Sequence, residues 1–291
     1  MATMVDICVV AYRNEETIAE VLISVESLVP DARVLIWDNS PDGLTHTAID
    51  RWSATHPGLQ LTVHGGEGNL GFGQACNRLA VLAENPWILF LNPDAKILAW
   101  DDALLSSDVK QMTGALIMLP DGTLQQTFGR DRSLRLEARM RLLRQKSNET
   151  NLQHRFKTDF VSGAAILINR SEFLSIGGFD SERFFMYYED IDLAKRWRQL
   201  GGIVVVDPAW RVSHLGGYSA KKDHLSALIR SYHSAAAYHD LWSRHAWVFG
   251  WICATEAILK FVASLPRGHV GQTSTRTQWR LLLYLLRNHD Q

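Results

Sequence analysis

The chain has 291 residues, 21% of them charged, and a formal net charge of −1. That length buries a substantial core, as one domain or one domain with an appendage, and so balanced a charge gives no reason to expect a nucleic-acid partner. Cys8, Cys76 and Cys253 lie far apart in no zinc-binding spacing, and Met1 to Asp6 lacks the basic start and apolar stretch of a secretion signal, so a reducing, cytoplasmic location is expected.

Ile7-Cys8-Val9-Val10 reads as a buried strand leading into Tyr12-Arg13-Asn14, without the glycine-rich loop of a dinucleotide or triphosphate site. Apolar residues at Ile18, Val21, Leu22 and Val25 predict a helix over 17–28. Val34 to Trp37 is a second strand, Leu59 to Val63 an alternating third and Trp87 to Leu91 a fully apolar fourth. A helix from near Phe72 to Leu82 separates the last two. Such spacing implies βα units and a mainly parallel sheet.

The middle of the chain differs. Gly114 to Met118 is a further apolar run, stopped by the turn signal Pro120-Asp121-Gly122. From Arg130 to Lys157 there are nine Lys or Arg against three acids, with leucines interleaved; a basic amphipathic lid and a solvated helix both fit. Apolar runs return at Phe160 to Ile168 and Ile203 to Val206. Past residue 222 the pattern is helical, with Leu225, Leu228, Ile229, Tyr232, Ala236 and Trp242 on one face. Trp247 to Leu265 is almost wholly apolar except for Glu256 and Lys260. Each such charge at mid-bilayer costs about 3 kcal/mol, which disfavours a membrane span. A helix packed as core, a subunit interface of a homodimer, and peripheral membrane contact with Trp242, Trp247 and Trp251 at headgroup depth remain as readings.

Five segments carry candidate chemistry. Asp38 ends the second strand at the carboxyl edge of the sheet, where open α/β sheets bind ligands; it can accept the N3–H of uracil or thymine, or form a turn. Gly65 to Gly73 is glycine-rich and enters a helix, as a ligand loop or an ordinary turn. Asn92-Pro93-Asp94 follows the apolar fourth strand, where a carboxylate can hold a divalent cation against a phosphate. Glu189, Asp190 and Asp192 stand together after Phe184 to Tyr188, either favoured by a helix dipole or supplying a base. His214 precedes Gly216-Gly217.

In this order and spacing the chain resembles the family-2 glycosyltransferases of the GT-A fold, and among them the bacterial rhamnosyltransferase-like branch, over roughly residues 5–220. The motifs are Val9 to Asn14, Asp38-Asn39-Ser40, Asn69 to Gly73, Leu91 to Ala95, Ser162-Gly163-Ala164, Gly177 to Asp180, Phe184 to Asp192, and His214 with Gly216 to Ser219. The resemblance implies a Rossmann-like α/β domain over 1–222, with a mainly parallel central sheet, helices on both faces and 121–158 as a lid or insertion. A C-terminal helical region would follow over 223–291.

It further implies an inverting enzyme with Asp190 as the catalytic base. Ala11, Tyr12, Asn14, Asp38, Asn69, Gly71, Asn77, Asn92 and Asp94 would face the nucleotide-sugar donor. Gly163, Ala164, Phe179, Tyr188 and Glu189 would lie on the sugar or acceptor side. Asp94 and His214 would hold Mg2+ or Mn2+. Asn92 departs from the family's Asp-x-Asp, so one carboxylate is missing. The implied reaction moves rhamnose or a related deoxysugar from a dTDP- or UDP-sugar to a hydroxyl of a cell-surface glycan, free or polyprenyl-linked, at the inner face of the cytoplasmic membrane. A nucleotidyltransferase acting on sugar phosphates and a silent sugar-nucleotide binder are the alternatives.

Overall fold

The computed structural model describes residues 5–106, 109–143, 152–216 and 224–264. The chain divides into two compact units, Met1–Asp131 with Thr150–Ser219, and Arg132–Glu149 with Ala220–Gln291. The segment 121–158 is thus split between them.

In the first unit, four βα-type strands pair in parallel in the order β3 (Gln60–Gly65), β2 (Arg33–Asp38), β1 (Val5–Ala11), β4 (Trp87–Leu91). The sheet continues through β10 (Ala165–Asn169), β6 (Gln111–Met118), β11 (Ile203–His214) and β5 (Ala95–Ala99), and β8 (Phe156–Lys157) pairs with β11. β10, β5 and β8 run against the other six strands. β1 and β4 are buried along their whole length, as expected of strands covered on both faces. β3 at the edge alternates instead.

Helices α1 (Ile18–Leu28) and α2 (Leu44–Ser53) cover one face through Ile18, Val21, Leu22, Ile49 and Trp52 against Ile7, Val9, Val34 and Ile36. The other face carries α3 (Phe72–Leu82), α5 (Arg170–Ser175) and α6 (Glu189–Gln199). There the Phe179 ring meets Phe90 and Phe173 edge to face at 5.4 Å, and Phe90 and Phe173 are tilted at 5.0 Å, a geometry that adds to their burial. All three cysteines are buried and free.

The run Phe160–Ile168 does not form one strand. It makes β9 (Phe160–Val161), paired with β7 (Phe128–Gly129), and then β10, with a turn at Ser162-Gly163-Ala164 between. β11 is far longer than its apolar core suggests. A register shift between Asp207 and Arg211 lets it continue alongside β6 and then β5 to His214.

At the opposite, amino-terminal edge of the sheet, Asp6 is fully buried. Its carboxylate accepts hydrogen bonds from Arg33 Nε and Nη2, the backbone N–H groups of Glu84 and Asn85, and Asn85 Nδ2. Burial pushes the carboxyl pKa up, but these donors outweigh it and hold the group below its usual range. Asp6→Ala is therefore expected to lower unfolding free energy by roughly 3–5 kcal/mol, as removal of one partner of a buried pair does. The urea midpoint at constant m-value reads this loss.

In the second unit, α4 (Leu134–Leu142), α7 (His224–Ser243) and α8 (Ala246–Ser264) pack together. Glu137 of α4 is buried and pairs with Arg141, which also bonds Glu256 of α8 at 2.9 Å. No helix among the described residues is long and apolar enough to cross a membrane.

Candidate active site

The carboxyl ends of β1, β2 and β4 meet one another through short polar turns. At β1 the chain leaves Ala11 through Tyr12 and Arg13, the latter with φ +56°. Asn14 is buried and shapes this exit: its Oδ1 accepts from Tyr12 N–H, and its own N–H donates to Thr45 Oγ1. Asp38 ends β2 opposite Ala11. Its Oδ1 accepts from Ser40 N–H at 2.9 Å, and its Oδ2 has no partner among the described residues. Asn39 joins three segments, donating its backbone N–H to Ala11 O and its side-chain N–H to Gly71 O while accepting from Leu70 N–H.

The glycine-rich loop is fixed from both sides. Asn69 Oδ1 accepts from Gly71 N–H, and Gly71 takes φ +80° with its Cα pressed on the backbone of Phe185. A Cβ there would overlap Phe185 O, so only glycine fits. Phe72 N–H then donates to Phe185 O at 3.1 Å. Asn77 exchanges two hydrogen bonds with the backbone of Phe179, tying α3 to the loop that leads into α6.

That loop ends in strain. Tyr187 and Tyr188 both adopt left-handed φ, +73° and +67°, a conformation that costs about 1 kcal/mol or more for each non-glycine residue. It turns Asp190 toward the 162–164 turn, where Asp190 Oδ2 accepts from Gly163 N–H at 2.8 Å and Oδ1 from Ile191 N–H at 2.8 Å. Behind it, Asp192 is fully buried and bonds Arg196 Nε, whose other nitrogens donate to the carbonyls of Ile176 and Gly178.

The 162–164 turn also reaches β4, because Asn92 N–H donates to Ala164 O. Beside it lie Asp94 and His214. His214 Nε2 is 3.2 Å from Asp94 Oδ1 and 3.2 Å from Asn92 Nδ2, and its Nδ1 is 2.9 Å from Gln125 Oε1. The Asp94 and His214 side chains are only 9% and 8% exposed. Nδ1–H donation to Gln125 leaves Nε2 facing Asp94, as an ion pair when the ring is charged or, when neutral, with a lone pair that a cation can take up. Among the described residues no group of three or more His, Cys, Asp or Glu converges on a metal position.

Residues 6–174 match the Glycosyl transferase family 2 profile. The chain belongs to that family. It is a glycosyltransferase of the rhamnosyltransferase-like kind, being 32% identical to the N-acetylglucosaminyl-diphospho-decaprenol L-rhamnosyltransferase of two Mycobacterium tuberculosis strains, over 75% of this chain and 76% of theirs. The GT-A fold is shared with a mannosyltransferase from Pyrobaculum calidifontis solved with GDP-Man and Mn2+, at TM-score 0.59 and 18% identity, covering 98% of this chain and 86% of that one. It is shared too with GalNAc-T7 solved with UDP, GalNAc and Mn2+, at TM-score 0.58 and 19% identity, covering 72% of this chain and 42% of that one.

Within this transferase, Asn92, Asp94, Gly163, Ala164, Asp190 and His214 fall along one chain of contacts, and Asp38 ends β2 at the same carboxyl edge of the sheet. Four of the expected contact residues have structural roles. Phe179 is buried among aromatic rings, so its side chain lies beneath the site surface. Asn77 engages backbone, Asn14 is a turn residue, and Ala11 is fully buried with its carbonyl given to Asn39. Gly217 to Ser219 of the last motif lie outside the described residues. Asn39, Gln125 and Arg196 were not expected. Asn39 was signalled by its place next to Asp38; Gln125 had no local signal, because it meets His214 only through tertiary folding.

Glu189 is the anomaly. It is 5% exposed and its Oε2 has no hydrogen-bond partner among the described residues. Burial first, and the neighbouring Asp190 second, push its carboxyl well above the ordinary range. A raised folded-state pKa favours folding below the unfolded value of about 4.3 and loses that contribution as pH rises toward the folded value. Glu189→Gln removes the titration. It is expected to match wild-type stability near pH 4 and to exceed it by up to about 1.4 kcal/mol per pH unit above that, until the folded pKa is passed. Denaturation midpoints of both proteins across pH 4–8 measure this.

Proposed function

We propose that the enzyme transfers rhamnose, or a related deoxysugar, from a dTDP- or UDP-linked donor to a hydroxyl of a polyprenyl-linked glycan, with inversion at the anomeric carbon. The observation that carries this reading is the Asp190 carboxylate, fixed by two backbone N–H groups one turn away from the Asn92–Asp94–His214 cluster. The mycobacterial relatives are named for rhamnosyl transfer to a decaprenol-linked acceptor, which supports the choice of sugar and carrier. Family membership sets aside the nucleotidyltransferase alternative.

In this reaction Asp190, as the carboxylate, takes the proton of the acceptor hydroxyl. The oxygen then bonds to the anomeric carbon from the face opposite the nucleoside diphosphate, whose C–O bond breaks with the electron pair leaving on the phosphate oxygen. In this reading Asp38 Oδ2, unpartnered among the described residues, accepts the N3–H that uracil and thymine share, so this contact does not discriminate UDP from dTDP. Asp94 and His214 suit a divalent ion, since two ligands 3.2 Å apart match adjacent positions around a metal with bonds of about 2.1–2.2 Å. Bound Mg2+ or Mn2+ would offset charge developing on the leaving diphosphate. Gln125 orients the His214 ring for that role.

Asp190→Asn is expected to lower kcat by about a hundred- to ten-thousand-fold with donor affinity nearly unchanged, because the amide keeps shape but takes no proton. The assay is product formation from dTDP-rhamnose and a polyprenyl-diphospho-N-acetylglucosamine acceptor, together with calorimetric binding of dTDP. Normal turnover by Asp190→Asn would move the base elsewhere, and a wild-type protein that binds donor but never transfers would make it a silent binder. Asp94→Ala should weaken Mn2+-dependent dTDP binding more than His214→Ala, since only Asp94 brings a full negative charge. Titrating Mn2+ into both variants decides this.

A further inference from the structure

Charge is distributed unevenly between the two units. The unit made of Arg132–Glu149 and Ala220–Gln291 holds fifteen Lys or Arg and six Asp or Glu, a formal +9. The sheet-bearing unit has fifteen against twenty-five, a formal −10, so the near-neutral whole conceals a strongly basic part. Such asymmetry signals an anionic partner for the basic unit.

The same unit presents an apolar face. Helix α8 turns Phe249, Cys253 and Ala257 inward. The Phe249 ring meets Tyr232 at 5.8 Å, His239 at 4.7 Å and the Arg141 guanidinium at 5.3 Å. Its partly exposed acid, Glu256, is matched by Arg141 and Lys260. The opposite face holds Trp247, Trp251, Ile258, Leu259 and Val262 at the i, i+4, i+7 spacing of one helix side, and these are 48–62% exposed. No charge interrupts that stripe, which runs about 23 Å along the helix. On α4, Arg135 and Arg139 are exposed beside Met140 and Leu143.

We propose that this outward face of α8, with the basic residues of its unit, is a docking surface for an anionic lipid bilayer. Two tryptophans at one end and aliphatic side chains beyond them suit the headgroup–acyl boundary, and the exposed Arg135 and Arg139 of the same unit add attraction to anionic headgroups. A two-fold contact between copies fits less well, because it would place one basic unit against another of the same sign. The docking surface rests on the lipid-linked acceptor proposed above only for its biological sense. It is measured without any sugar substrate, so either can fail alone.

The test is flotation of the full chain with vesicles of 30% phosphatidylglycerol in phosphatidylcholine, and with pure phosphatidylcholine, at low and high salt. Wild type is expected to float with the anionic vesicles at low salt and to be released as salt rises. Trp247→Glu/Trp251→Glu should reduce anionic-vesicle binding about tenfold or more, and Arg135→Glu/Arg139→Glu should remove much of the salt-sensitive part. Both pairs are exposed, and circular dichroism confirms that each variant folds. Wild-type protein left in the soluble fraction at low salt overturns the proposal. So does flotation equal in wild type and the tryptophan variant, or a wild-type dimer that this variant converts to monomer with vesicle binding unchanged.

Discussion

Everything in the catalytic region depends on how the Asp190 carboxylate is held. Two backbone N–H groups, from Gly163 and Ile191, each take one of its oxygens. Backbone donors have no rotamers to lose, so these two bonds hold the carboxylate on rigid groups. The same turn that supplies Gly163 N–H takes Asn92 N–H on Ala164 O. A single three-residue turn therefore links the Asp190 carboxylate to the Asn92, Asp94 and His214 side chains.

The surrounding segments exist to keep that turn and the α6 start in register. Phe72 packs so close to Gly163 that a Cβ there would meet its ring at 2.9 Å, and Phe72 N–H is bonded to Phe185 O. Asn77 and Arg196 hold the 176–179 segment from two helices. This network offsets the left-handed backbone at Tyr187 and Tyr188 and the unsatisfied acid at Glu189. Local features that oppose stability, concentrated around one carboxylate, mark a site shaped by function rather than by folding alone.

Much of this was legible in sequence. Apolar strands such as Ile7–Val10 and Trp87–Leu91 announce themselves because burial on both faces demands continuous Val, Ile, Leu and Phe. The order and spacing of motifs from Val9–Asn14 through Asp38-Asn39-Ser40 and Leu91–Ala95 to Phe184–Asp192 and His214 carried the family resemblance. What local pattern cannot carry is the closing half of the sheet. Phe160–Ile168 reads as one apolar run, yet it bends at Gly163, and that bend is the turn on which Asp190 rests. β11 reads as four residues, yet its irregular register at 207–211 carries it on to His214. Gln125 and Asn39 have roles created by contacts between distant segments. Basic residues in 132–149 carried an ambiguous signal until their helix was found grouped with the C-terminal helices in one unit.

The proposed reaction is a single displacement, in which the acceptor oxygen, freed of its proton by Asp190, attacks the anomeric carbon directly. The most direct measurement is the anomeric configuration of the first-formed product, read by proton NMR from the coupling or one-bond carbon–proton splitting at the transferred sugar. An inverted configuration relative to the nucleotide donor is the predicted result. Retention of configuration would require a different chemistry and would contradict the role assigned to Asp190.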